Sequence, residues 1–175
     1  PFPGVIGCID GTHIQIPAPK NNRGSYYNRK GFHSILLQVV CDADKKFTDV
    51  FCGWPGSTND ARMWKRSALY QKLQNDAHIR ANDYHLLGDS AYKIEKLSSI
   101  RVIVEQAIGL LKGRFRWLKY LDMSKIQTMS KVVNAACILH NFCIDMSDEL
   151  PELYTEDDED LVTEASDVAS VSNET

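Results

Sequence analysis

Three carboxylates carry the chemistry this chain could do: Asp10 in "GCIDGTHI", Asp89 in "LLGDSAY" and Glu105 in "IRVIVEQAIGLLK". Each aspartate follows a short apolar run, so both are expected just past β-strands, whereas Glu105 sits inside a basic amphipathic segment. Two carboxylates at strand ends and a third from a covering helix can converge on a pair of divalent cations. Mg2+ prefers hard oxygen ligands and keeps several waters, which suits carboxylates that share it with a phosphate. Two such ions about 4 Å apart would stabilise both the attacking and the leaving oxygen of a phosphoryl displacement. Each residue also has a plainer reading. Asp10 and Asp89, beside Gly or Ser, could close tight turns. Glu105 could pair with Arg101 one turn earlier, although Arg before Glu is the weaker orientation on a helix.

The elements that must position these groups are legible in outline. "GVIGCID" is a short apolar run ending in a polar turn, and "FHSILLQVVCDADKKFTDVFCGW" reads as a hairpin turning at Asp42–Lys46. "SILLQVVC" is nearly continuous rather than alternating, as in a strand buried on both faces, so helices should cover the sheet. "STNDARMWKRSALYQKL" reads as a helix capped by Ser57 or Thr58, with Met63, Trp64, Leu69 and Leu73 at helical spacing. After the strand "YHLLGDSAY", a long helix is expected from about Ser99 to Leu121 on the stripe Val104, Ile108, Leu111, Phe115 and Leu118. A last helix covers about Met129 to Met146, with Val132, Ala136, Leu139 and Cys143 on one side. Residues 1–146 form one α/β domain, a mixed sheet flanked by helices; residues 147–175 are an acidic, Ser/Thr-rich tail expected to be disordered.

Charge divides the chain the same way. All 20 Lys and Arg precede Asp145, and 12 of the 23 Asp and Glu lie from Asp145 onward. A basic body draws polyanions, whereas an acidic tail repels them or covers the basic face in their absence. No apolar run approaches the roughly 18 residues that span a bilayer, so no membrane partner is expected, and the chain reads as soluble and intracellular. Because the first residue is Pro1, the sequence reads as a piece of a longer protein. The five cysteines, an odd number with no C-x-x-C pair, read as buried thiols. "CILHNFC" offers Cys137, His140 and Cys143 as zinc ligands, but three-residue steps spread them around a helix and a fourth ligand is missing.

Basic and aromatic residues interleave in "KGRFRWLKY" and "NNRGSYYNRKGFH". Arg23, Arg29, Lys30, Arg101, Lys112, Arg114 and Arg116 could hold phosphates while Tyr26, Tyr27, Trp117 and Tyr120 stack on bases. The plainer reading is aromatics packed inward and solvated cations. His13 and His33 could orient water or phosphate, or be structural imidazoles. Gly88–Asp89–Ser90 resembles the start of a serine-esterase block, yet the D-x-x-H base pair such chemistry needs downstream occurs only upstream, at Asp10 and His13.

Taken in order, "GCIDGTHI", "YYNRKGFHSILLQVVCDADKKFTDVFCGWPGSTNDARMW", "LLGDSAY", "SSIRVIVEQAIGLLKGRFRWLKYLDM" and "ILHNFCI" resemble the catalytic domain of the PIF/Harbinger transposases and their domesticated nuclease-like derivatives, from about Gly4 to Ile144. The resemblance implies a ribonuclease-H-like fold with a D-D-E triad at Asp10, Asp89 and Glu105. It also implies Mg2+ or Mn2+ as cofactor and cleavage, then transfer, of DNA phosphodiester bonds. Asp60, in "STNDARMW", and His13 fall in family blocks and would support the triad. The resemblance further implies a nuclear location and a Myb-like DNA-binding partner. The chain departs from the pattern at one point: similar members carry about two dozen more residues between the second Asp block and the Glu helix, where here only "KIEKL" joins Tyr92 to Ser98. The domain is therefore expected to be truncated, with weak catalysis or with a role as a DNA-binding or protein-interaction module.

Overall fold

A computed structural model describes residues 4–82, 84–88 and 98–148, the side chains of Arg80 and of residues 98–101 excepted. Four strands form one mixed sheet in the order β3-β2-β1-β4. Strand β1 (Val5–Gln15) pairs antiparallel with β2 (Ser34–Cys41) and parallel with β4 (His85–Gly88), and β3 (Phe47–Pro55) completes the hairpin. This order and these directions agree with the ribonuclease-H-like expectation. All eight residues of β2 are buried, which is why its sequence shows no alternation: helices cover both of its faces.

On one face, Cys8, Ile14, Ile35, Leu37, Val39 and Leu87 pack against α5 (Ser98–Arg114) and α6 (Ile126–Asp145). On the other, Ile9, Val40 and Leu86 meet Trp64 of α2 (Asp60–Arg66), with Leu69, Tyr70 and Leu73 of α3 (Ala68–Asn75) behind it. Two short helices, α1 (Arg23–Tyr26) in the loop before β2 and α4 (Ala77–Ala81) before β4, and a 3-10 turn at Arg116–Leu118 complete the elements of the described residues. The hairpin turns where expected: the Asp42 side chain accepts from the N–H groups of Asp44 and Lys46, both at 3.0 Å.

Five expectations are corrected. The long helix expected to reach Leu121 ends at Arg114, because Phe115 leaves helical backbone geometry before the 3-10 turn at Arg116–Leu118. Asp10 is not past the first strand but inside it, because pairing with β2 carries β1 on to Gln15. The cap of α2 is Asn59, whose side chain accepts from Arg62 N–H at 2.8 Å, since Ser57 and Thr58 are held in the preceding turn. What reads as one helix is two, divided at Ser67, whose hydroxyl donates to Trp64 C=O at 2.8 Å and accepts from Tyr70 N–H at 3.1 Å. In α6 the buried face is Met129, Val133, Ala136, Cys137 and His140, so Leu139 points outward. That rotation is fixed by the hairpin tip: Asn141 Oδ1 accepts from Phe47 N–H at 2.7 Å and its Nδ2 donates to Phe47 C=O at 2.8 Å. His140 Nε2 meets Lys45 C=O at 3.1 Å. The tail beyond Asp148 lies outside the described residues, and no described helix is long and apolar enough to cross a membrane.

Candidate metal and nucleic-acid site

Asp10 occupies the middle of a central strand. The ladder with β2 is regular from Cys8 to Gln15, so alternate side chains share a face. Asp10 therefore sits with Cys8 and Ile14 on the side that α5 and α6 cover. It is half-buried, and its Oδ1 accepts from the N–H of Gly11 at 2.8 Å. In the parallel ladder, Ile9 pairs with Gly88, the last residue of β4. Asp10 follows Ile9 in β1; Asp89 follows Gly88 in the sequence and lies outside the described residues.

Glu105 is half-buried at the margin of the α5 stripe Val104, Ala107, Ile108 and Leu111, which packs on the sheet core. Gly109 and Lys112 follow it at helical spacing on the same flank. A Cβ at Gly109 would meet nothing within 4 Å, so this flank borders open space. Helix α5 makes its main sheet contact with β1, the strand that bears Asp10. Fold and register thus bring Asp10 and the helix of Glu105 to one face. Among the described residues no group of three or more His, Cys, Asp or Glu could hold a metal, a search that did not include Asp89.

His13 lies on the opposite face of β1 from Asp10 by strand alternation. Its Nδ1 meets Ser34 Oγ at 2.9 Å, and Asn28 Nδ2 donates to the same oxygen at 2.9 Å. Asn28 is buried, and its Oδ1 accepts from Lys30 N–H at 2.9 Å and Phe32 N–H at 3.3 Å, which closes the basic loop. Burial, then the charges of Lys30, Lys112 and Arg29, pull the His13 imidazole down to about 4, so it is neutral near pH 7. Positive charge from the loop before β2 and from α5 thus reaches His13. Sequence reading missed Asn28 and Ser34, whose partnership carries no local signal.

The remaining expected residues divide. Arg23, Arg29, Lys30 and Arg116 are exposed, as are Tyr27, Trp117 and Tyr120, and Tyr120 bridges to Gln15 at the end of β1. Arg114 is largely buried and ion-paired with Asp148, so it anchors the end of α6 to α5. The side chain of Arg101 is outside the described residues. Asp60 opens α2 on the layer opposite Asp10, where a negative charge suits the helix N-terminus. Cys137 and His140 are buried in the core face of α6, and burial pushes the Cys137 thiol up to about 12, which fits packed thiols rather than metal ligands.

Comparison with known proteins gives the family. Residues 9–97 and 95–141 match the DDE superfamily endonucleases, and the chain belongs to that family. Over 170 residues it is 32% identical to a mouse protein named "Putative nuclease HARBI1" and 30% identical to its human counterpart, covering 82% of this chain and 47% of either relative. It is 26% identical over 182 residues to "Protein ALP1-like" of Arabidopsis thaliana, 85% of this chain and 45% of that one. The chain thus spans about half the length of the curated relatives it matches. No solved structure matches it. The domain is of nuclease type, and endonucleases of this superfamily generally depend on divalent metal ions.

Proposed function

We propose that this domain cleaves DNA phosphodiester bonds, with Asp10, Asp89 and Glu105 as its metal-holding carboxylates. The observation that carries the reading is the register of β1 against β4: Ile9 pairs with Gly88, Asp10 follows Ile9 on the face that α5 covers, and Asp89 follows Gly88 in the sequence. The donor set fits a hard cation, because Asp10 and Glu105 offer only oxygens and both are half-exposed to solvent. Mg2+ or Mn2+, when bound, would supply a Lewis acid at the scissile phosphate and lower the pKa of a water or 3′-hydroxyl nucleophile. The chain's own residues do the rest. Lys30, Arg29 and Lys112 would draw the backbone toward the end of β1, and the exposed Trp117 and Tyr120 would receive unpaired bases. His13, neutral and held by Ser34, orients the basic loop rather than carrying charge.

A second reading has its own support. The family match comes in two pieces meeting at residues 95–97, within the short connection before α5, which suits a domesticated domain that binds DNA or another protein with little cleavage. A nuclear location and a Myb-like partner for target recognition belong to either reading. The test is nicking of supercoiled plasmid in Mg2+ or Mn2+ by wild type, Asp10→Asn and Glu105→Gln. Nicking that both substitutions abolish, with DNA retention unchanged, supports the enzyme. Metal-independent DNA binding without nicking in any variant rejects it in favour of the binding module.

A further inference from the structure

Helix α6 has a second face that the fold leaves uncovered. Opposite the buried stripe, Ile138 is 70% exposed, Leu139 51%, Phe142 59% and Met146 66%; four of the ten exposed large hydrophobic residues among those described thus lie within nine positions of one helix. Lys131, Asn134, Ala135 and Asp145 are exposed on the same side. At about 100° per residue, Lys131, Ala135, Ile138, Phe142 and Asp145 fall within roughly 80° of arc, a single stripe. A contiguous apolar patch of this kind on a helix is the usual mark of an interaction surface.

We propose that the occupant of this face is α6 of a second copy of the chain, packed antiparallel about a two-fold axis near Ile138. The argument is the stripe's self-complementarity. Lys131 and Asp145 stand seven residues to either side of Ile138, so antiparallel pairing about that residue sets each lysine against the partner copy's aspartate. The small side chains Asn134 and Ala135 on one half face the bulky Phe142 on the other, knob against gap, and Ile138 meets its own symmetry mate. An unrelated partner would require neither the charge reversal across the centre nor the size reversal. Asp145 already pairs with Lys46, but an ionised carboxylate can accept from both ammonium groups. The stripe runs roughly 21 Å between its charged ends. A two-helix contact of that length buries less than the roughly 1,600 Å2 of a standard interface, which puts it in the size class of weak, reversible contacts. This inference is independent of the catalytic reading and uses none of its residues.

Sedimentation velocity on the whole chain, from low micromolar to sub-millimolar concentration, should show a monomer–dimer equilibrium that Phe142→Glu shifts by at least tenfold toward monomer. Because Phe142 is solvent-facing, circular dichroism should find the variant folded. Ile138→Cys supplies a readout that does not depend on that: on the axis, it should form an intermolecular disulfide under mild oxidation, whereas Lys131→Cys and wild type, with its five native cysteines, should not. A chain that stays monomeric and gives no Ile138→Cys cross-link overturns the proposal and leaves the face to a different partner. A dimer that survives Phe142→Glu and leaves Ile138→Cys uncross-linked overturns it equally.

Discussion

Replacing Asn141 with alanine removes one side chain and unties two elements. Its amide closes on both backbone groups of Phe47, accepting at 2.7 Å and donating at 2.8 Å, across 94 positions of sequence. Phe47 is 6% exposed, so its N–H and C=O would be left largely without partners. Two hydrogen bonds contribute about 1 kcal/mol each, and an unsatisfied buried backbone group costs about 1–3 kcal/mol. Water relieves part of the latter, because Asn141 itself is only half-buried. Alanine returns roughly 0.5 kcal/mol of helix propensity. The net expectation is a loss of about 2–3 kcal/mol, or roughly 5–10 °C in Tm for a domain of this size. Urea unfolding followed by circular dichroism measures it. Asn134→Ala is the control, since Asn134 is exposed on the same helix and should change stability by no more than about 0.5 kcal/mol, in the stabilising direction. If the two variants unfold together, the amide clamp contributes nothing and the reasoning fails.

Two further outcomes follow from the loop around His13. Its folded pKa of about 4 lies below the ordinary 6.5, so the unfolded chain binds the extra proton between those values, and stability should fall as pH drops from about 6.5 toward 4. After discounting for partial exposure the effect is roughly 1–2 kcal/mol, seen as a shallower acid slope in His13→Gln than in wild type by urea titration at several pH values; parallel slopes would exclude it. Gly56→Ala places a methyl group 2.8 Å from Ser34 C=O and 2.9 Å from Tyr26 C=O, and against the Ser34 hydroxyl as well. Backbone cannot give way as a side chain can, so a loss of roughly 2–3 kcal/mol is expected, while Gly24→Ala, with open space around it, should leave the unfolding midpoint unchanged.

The parts of the fold that could be read along the chain are those whose cause is local. β2 announces itself because eight consecutive buried positions are filled by small or apolar residues at all but Gln38, and the Asp42 turn because one side chain satisfies two nearby N–H groups. The misread parts have distant causes. The polar half of β1 remains a strand because β2 pairs with it through Gln15 and its histidine finds Ser34, which is 21 residues away. The break at Ser67 hides within an apolar period that continues smoothly from Trp64 to Leu69, and only the double role of one hydroxyl betrays it. The outward turn of Leu139 is set by Asn141 meeting Phe47, a contact no helical pattern contains. Asp10 and Glu105 stood out by residue type and by block resemblance, whereas the strand alternation that separates His13 from Asp10 depended on knowing how far β1 extends.

The short connection between β4 and α5 bears on activity differently from what its length suggests. A segment of nine residues can span about 30 Å when extended, enough to cross a neighbouring strand. What then fixes α5 is its own apolar face: Val104, Ala107, Ile108 and Leu111 are all buried in the core that also holds Cys8, Ile14 and Leu87. Burial of such side chains contributes roughly 1–3 kcal/mol each, so the core itself holds the helix that bears Glu105. Glu105 is therefore held by packing against β1 rather than by the length of the chain leading to it. On the proposed function, Glu105 should therefore hold a metal ion as firmly as Asp10 does. A metal titration that Asp10→Ala weakens strongly and Glu105→Gln weakens comparably would agree with this, because a helix held loosely would leave the glutamate contributing little.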